Sequence, residues 1–120
     1  RSAWVADYPD PENFLNMFYG KYVPEDPTAM SIVNFSRYKN PEYDALYEQA
    51  LRETDETKRM ELFAKCDQMI IDDAVVMPIY YDSYQRLLQT NVANFPINAM
   101  EYRDFTRVYF VKEKKKKKKS

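Results

Sequence analysis

Asp7 closes the stretch "AWVAD" (residues 3–7) and delivers a carboxylate into the proline-punctuated "YPDPEN". A carboxylate after a mostly apolar run has two chemical uses. It can accept backbone N–H groups of the following turn, or it can face a cleft and hold a cation. The backbone of Ala3 to Ala6, with Trp4 and Val5 between, has the composition of an extended strand. Such a strand, lining a cleft, can pair main chain to main chain with an extended ligand. Trp4 has the competing option of ordinary core packing. Further along, Tyr80 and Tyr81 follow Pro78 in "MPIYYDSY". Strand alternation sends one of these rings to the core and the other to a surface or cleft.

Other reactive residue types form no recognisable constellation. Asp72 and Asp73 are paired acids of the kind used in general acid–base work, yet the sequence holds no His. Both also fall at a predicted helix end, where capping or surface roles apply. The lone cysteine, Cys66, sits in an apolar helical stripe and reads as a small buried hydrophobe. Without His or a Cys cluster a zinc site is not expected. Glu48, Arg52, Glu53, Lys58, Arg59 and Glu61 read as a solvated helical face. With no nucleophile–base arrangement and no phosphate-cradling glycine loop, neither an enzyme nor a cofactor is expected.

The charge is divided. Of 18 basic residues six are Lys114 to Lys119, leaving 12 against 19 acidic ones over residues 1–113, a balance of −7. An acidic folded part argues against a nucleic-acid surface. The run "KEKKKKKKS" could bind acidic lipid or nucleic acid electrostatically. The blander readings, a solvated disordered tail over residues 112–120 or the translation of an adenine-rich stretch, are preferred, with the fold ending near Val111. The chain starts with Arg rather than Met, so a missing signal peptide carries no information.

The elements that must position these residues come from spacing and punctuation. Residues 1–7 predict a short strand. Asp10 as N-cap, Pro11 at the first helical position and Glu12 near the dipole start a helix whose apolar face is Phe14, Leu15 and Phe18. Residues 20–37, with Pro24 and Pro27, predict an exposed loop. Asn40 and Pro41 repeat the start signal ahead of Tyr43, Leu46, Tyr47, Ala50 and Leu51 at helical spacing. Thr54 or Asp55 caps the next helix, with a stripe of Leu62, Phe63, Cys66, Met69 and Ile70, and the two helices should form an antiparallel pair. "AVVMPIYY" (74–81) predicts a strand at an edge or bulge. "QRLLQTNV" continues extended, residues 93–104 are irregular, and "TRVYFV" is a final strand. The class is α/β or α+β.

Four ordered phrases now stand together: "WVADYPDPENFL" (4–15), "YKNPEYDAL" (38–46), "DETKRMELFAKCDQMIIDD" (55–73) and "VVMPIYY" (75–81). In order and spacing they resemble the C-terminal portion of the oligopeptide- and dipeptide-binding family of extracellular solute-binding proteins. The resemblance implies an α/β fragment of a two-lobed periplasmic-binding-protein-like fold, with a helix pair packed on a mixed sheet. Residues 1–111 would be the C-terminal part of a lobe, with about 93–111 crossing back to the other lobe. It implies peptide capture in an interlobe cleft, with partners in the rest of the same polypeptide and in the membrane permease of an ATP-driven importer. The location implied is periplasmic or that of a cell-surface lipoprotein. Asp7 would pair with a peptide α-ammonium, and Trp4, Val5 and Ala6 would line the ligand. Arg1 would receive a peptide carboxylate, and Tyr80 and Tyr81 would lie near hinge and ligand. Asp82 departs from the family pattern, where a third aromatic is common. Two alternatives stay open: the same scaffold with a non-peptide solute such as a nickel chelate, opine or oligosaccharide, or a small non-transport interaction domain.

Overall fold

The Asn40 side chain starts the longest ordered region. Its Oδ1 accepts the N–H groups of Glu42 (2.9 Å) and Tyr43 (3.3 Å), and Pro41 follows at the first helical position. Helix α2 then runs Pro41–Arg52, with Glu42 and Asp44 in its first turn and Arg52 in its last, as the helix dipole favours. The connection is short because Glu53 Oε1 accepts from the N–H groups of Thr54 and Asp55 (2.9 Å each). Asp55 in turn caps helix α3, Glu56–Asp72, by accepting from Lys58 N–H at 3.0 Å. In this computed structural model, which describes residues 3–81 and 83–112, the two helices pack face to face as a pair.

Their shared face is the core. Tyr43, Tyr47 and Ala50 from α2 meet Leu62, Phe63, Cys66 and Ile70 from α3, with Leu15 completing the cluster. Leu46 and Met69 lie at its margin, whereas Leu51, expected on the apolar face, is 47% exposed. Burial on this scale stabilises by roughly 1.5–3 kcal/mol for each large apolar side chain. Two buried tyrosines need partners for their hydroxyls. Tyr43 donates to the Leu15 carbonyl and Tyr47 to Glu12 Oε1, both at 2.7 Å. These bonds tie the N-terminal segment to the helix pair.

That segment contains a short helix α1, Glu12–Leu15, followed by two single turns of 3₁₀ helix, Asn16–Phe18 and Gly20–Tyr22. Pro11 is the N-cap position, one residue later than predicted, although Asp10 Oδ1 still accepts the Glu12 N–H at 2.9 Å. Of the predicted apolar face, Leu15 is buried and Phe18 packs at the core edge, while Phe14 is exposed. The loop over residues 20–37 is only partly the exposed loop expected. Its Asn34 is fully buried and fully bonded: Nδ2 donates to the carbonyls of Tyr19 and Tyr38, and Oδ1 accepts from Ser36 and Tyr38. The Arg37 guanidinium donates to the carbonyls of Pro24, Asp26 and Ala29, while Met30, Ile32 and Phe35 stay exposed.

Helix α3 ends without glycine. Ala74 takes a left-handed conformation (φ 51°), Ala74 N–H donates to Ile71 O at 3.0 Å, and Val75 N–H donates to Ile70 O at 3.1 Å. This is the paired Schellman arrangement that satisfies terminal carbonyls.

The chain forms two units, Arg1–Tyr80 and Tyr81–Ser120. The second holds a two-stranded antiparallel ladder, β1 (Val92–Ala93) with β2 (Tyr109–Phe110), in which Val92 faces Phe110 and Ala93 faces Tyr109. The strand expectations were too generous. Among the described residues neither 3–7 nor 74–81 is in a ladder, and of "TRVYFV" only two residues are. A strand exists only against another strand. Pro78 offers no N–H, and Met77 and Ile79 are 80% and 69% exposed. The mixed sheet expected beneath the helix pair is likewise not found among the described residues. What stands is a helix-rich α/β chain.

Candidate functional site

The site is built around a buried amide. Asn13, in the first turn of α1, is 2% exposed. Its Oδ1 accepts two hydrogen bonds, from the Trp4 indole Nε1 at 2.7 Å and from the Asp7 backbone N–H at 3.1 Å. The Asn13 N–H donates to the Asp10 carbonyl at 3.1 Å, which closes the intervening bend. One side chain thereby fixes both the ring of Trp4 and the backbone of Asp7.

Asp7 itself is exposed, and among the described residues its carboxylate accepts no hydrogen bond and forms no ion pair. Of the two uses open to it from sequence, turn capping is performed by others. Asp10 takes the Glu12 N–H, and Asn13 takes the N–H of Asp7. Trp4 is 42% exposed and Val5 41%, with Ala6 half-buried, so the indole is not core. Arg1 lies outside the described residues, as does Asp82. Tyr80 and Tyr81 do not divide between core and surface: they are 57% and 99% exposed. Without ladder pairing, the alternation that would separate them has no sheet to act through. Tyr80 closes the first unit and Tyr81 opens the second.

Residues beneath the segment carry the charge. Asp10 and Arg59 form a two-point pair, Nη1 to Oδ2 at 2.8 Å and Nη2 to Oδ1 at 3.0 Å, with side chains 26% and 24% exposed. The guanidinium bonded to it holds the Asp10 carboxyl below its ordinary pKa, and the same contact raises that of Arg59. Arg59 also lies 4.7 Å over the Phe63 ring. Glu12 accepts from two phenols, Tyr8 and Tyr47. The pKa values of both are raised, Tyr8 first by its bond to Glu12 and Tyr47 first by burial.

Sequence reasoning did not single out Asn13, and it placed Arg59 and Glu48 on a solvated face. Arg59 instead clamps the segment, and Glu48 Oε1 accepts from Tyr19 and Lys21, both at 2.6 Å. No spacing signal marks such partners, because each bond spans tens of residues or depends on a bend. Asp73 accepts from Tyr38 and Asn40, and Asp72 from Gln68 at 2.8 Å. Both acids thus hold structure together at the end of α3. Cys66 is fully buried, and burial pushes its thiol up to about 11. Among the described residues, no group of three or more His, Cys, Asp or Glu could hold a metal. The second unit has an open cavity of about 420 Å³ whose lining includes Arg86, Phe95, Arg103 and Phe105. Arg86 there stacks 4.0 Å over Phe95 and donates to the Pro96 carbonyl at 2.9 Å.

No profile of a known family matches the chain. Individual proteins do. The periplasmic oligopeptide-binding protein OppA of Escherichia coli K12 is 31% identical over 113 residues, 93% of this chain and 19% of that protein. The oligopeptide-binding protein OppA of Bacillus subtilis 168 is 38% identical over 81 residues, 68% of this chain and 13% of that protein. The probable deoxycholate-binding periplasmic protein YgiS of Escherichia coli K12 is 32% identical over 112 residues, 93% of this chain and 19% of that protein. The chain therefore spans about a fifth, or less, of the length of these relatives. On these matches the chain belongs to the oligopeptide- and dipeptide-binding family of periplasmic solute-binding proteins.

Proposed function

We propose that this chain is part of the ligand-binding component of an ATP-driven importer, which captures peptides in an interlobe cleft and delivers them to a membrane permease outside the cytoplasm. The observation that carries the reading is Asp7: an exposed carboxylate with no internal partner among the described residues, on a backbone held by Asn13. An acid in that state is ready to receive a cation, and a peptide's α-ammonium is the cation the resemblance calls for. Trp4, Val5 and Ala6 would line the ligand, and Tyr80 and Tyr81 are the further ligand-contact candidates. Arg1 would meet a peptide carboxylate. The role is binding, with energy input residing in the transporter. The exposed apolar side chains of Met30, Ile32, Met77 and Ile79 support placement within a longer polypeptide that would cover them.

The test is Asp7→Asn in the full polypeptide carrying this chain, titrated calorimetrically with tri-alanine and with its N-acetylated form. A buried ammonium that loses its counter-ion costs roughly 2–5 kcal/mol, an affinity loss of about thirty-fold or more. The acetylated peptide should bind weakly to the wild type and be almost indifferent to the substitution. Equal effects on both peptides would remove Asp7 from the site, and failure of the wild type to bind either would overturn the peptide reading. A non-peptide solute is the second reading, favoured by the resemblance to a protein named for deoxycholate.

A further inference from the structure

We propose that Asn13 is the positioning residue of the ligand-binding segment: its buried Oδ1, accepting from Trp4 and from the Asp7 backbone, holds the Asp7 carboxylate in register for the ligand. The assignment of a ligand to Asp7 rests on the peptide-binding reading; the geometry at Asn13 does not.

Four observations carry it. Asn13 is among the most buried side chains of the chain at 2% exposure, yet it is polar and contributes nothing to the apolar cluster. A buried amide is retained in such a place only when its hydrogen bonds are made. Its two donors come from Trp4 and Asp7, the aromatic ring and the acid of the segment proposed to meet the ligand. Residues 3–7 have no ladder partner among the described residues, so the Asn13 bonds stand in for the pairing that would otherwise fix a strand. The base beneath Asn13 is rigid, since the following Leu15 lies in the core and the preceding Asp10 is clamped by Arg59. A small rotation of the Asp7 backbone would move its carboxylate by more than hydrogen bonding tolerates. Asn13 therefore sets where the charge sits without touching the ligand.

The experiment uses the full polypeptide with tri-alanine. Asn13→Leu removes the acceptor at similar size; Asn13→Asp keeps an oxygen where both donors end. The expected result is an affinity loss of about ten-fold or more for Asn13→Leu and less than about three-fold for Asn13→Asp. In the Asp7→Asn background the leucine substitution should lose most of its effect, because it acts through Asp7. The Trp4 indole N–H resonance, assigned by its loss in Trp4→Phe, should keep its hydrogen-bonded shift in Asn13→Asp and lose it in Asn13→Leu. If the leucine variant does not fold, Asn13→Ser, too short to reach both donors, takes its place with the same expected pattern. Unchanged affinity for Asn13→Leu, where Asp7→Asn still weakens binding, overturns the positioning role and leaves the peptide reading intact. If Asp7→Asn has no effect, Asp7 leaves the site and the positioning role is overturned with it, whereas only failure of the wild type to bind tri-alanine overturns the peptide reading. An indole resonance that does not move on removal of the acceptor overturns the geometry itself.

Discussion

Arg59→Met separates the clamp from the core it rests on. Methionine fills much of the arginine stem's volume over Phe63 but removes both bonds to Asp10, at 2.8 and 3.0 Å, and the cation 4.7 Å above the ring. A fully exposed pair would contribute at most about 1 kcal/mol, and breaking a fully buried one costs about 3–5 kcal/mol. With both side chains about a quarter exposed, Asp10 recovers part of its hydration when Arg59 leaves. The ring contact adds roughly 0.5–1 kcal/mol. The expected loss is about 1.5–3 kcal/mol, read as a lower urea midpoint at an unchanged slope. The pH dependence is the sharper readout. Asp10 titrates below its ordinary 3.8 because of Arg59, so its contribution is complete above that value and is lost as pH falls through the folded pKa. The wild type should therefore lose stability faster than the variant as the medium acidifies past about pH 4, and the gap between them should narrow. A gap below about 0.5 kcal/mol at neutral pH, or one as wide in acid as at neutrality, would refute the assignment of the clamp.

Gly20→Ala should destabilise by more than the usual surface change, because a Cβ there would stand 2.5 Å from Asp44 Oδ2 while Gly20 N–H is bonded to Asp44 Oδ1 at 2.8 Å. Thermal melts should show a drop of roughly 1–3 kcal/mol, relieved by a second change, Asp44→Ala, that clears the carboxylate. Cys66 should react with an aromatic disulfide reagent only through opening of the helix pair, since it is fully buried and its thiol is raised to about 11. Its contribution to stability is present below the unfolded thiol pKa and is lost as pH rises through that folded value. Labelling in mild alkali as fast as that of the urea-unfolded chain would count against the packing described.

The helices were legible because their signals are local. Asn40 with Pro41, Asp55 ahead of Glu56, and the repeat of Tyr43, Tyr47 and Ala50 each lie within a few residues of what they determine. The strands were not, since β-branched composition such as that of Val75 and Val76 records a readiness to pair but not the partner. At the candidate site, Asp7 and Trp4 stood out by position and type. Asn13 and Arg59 did not, because their roles exist only after folding: Arg59 reaches back 49 positions to Asp10, and Asn13 gains its partners from a bend. Helical spacing alone assigns an arginine between two acidic turns to solvent.

Glu12 receives one phenol from the N-terminal segment and another from helix α2. Positions 8, 12 and 47 consequently form a unit of inheritance. Loss of the Glu12 carboxylate strands the hydroxyl of Tyr47, a residue 1% exposed, whereas Phe at position 47 frees position 12 to vary. Substitutions at the two sites are non-additive, and their order matters: a lineage that changes position 47 first passes through a milder intermediate than one that begins at position 12. Divergence in this corner of the molecule should thus be directional, with acidic residues at position 12 outlasting their neighbours wherever tyrosine persists at position 47.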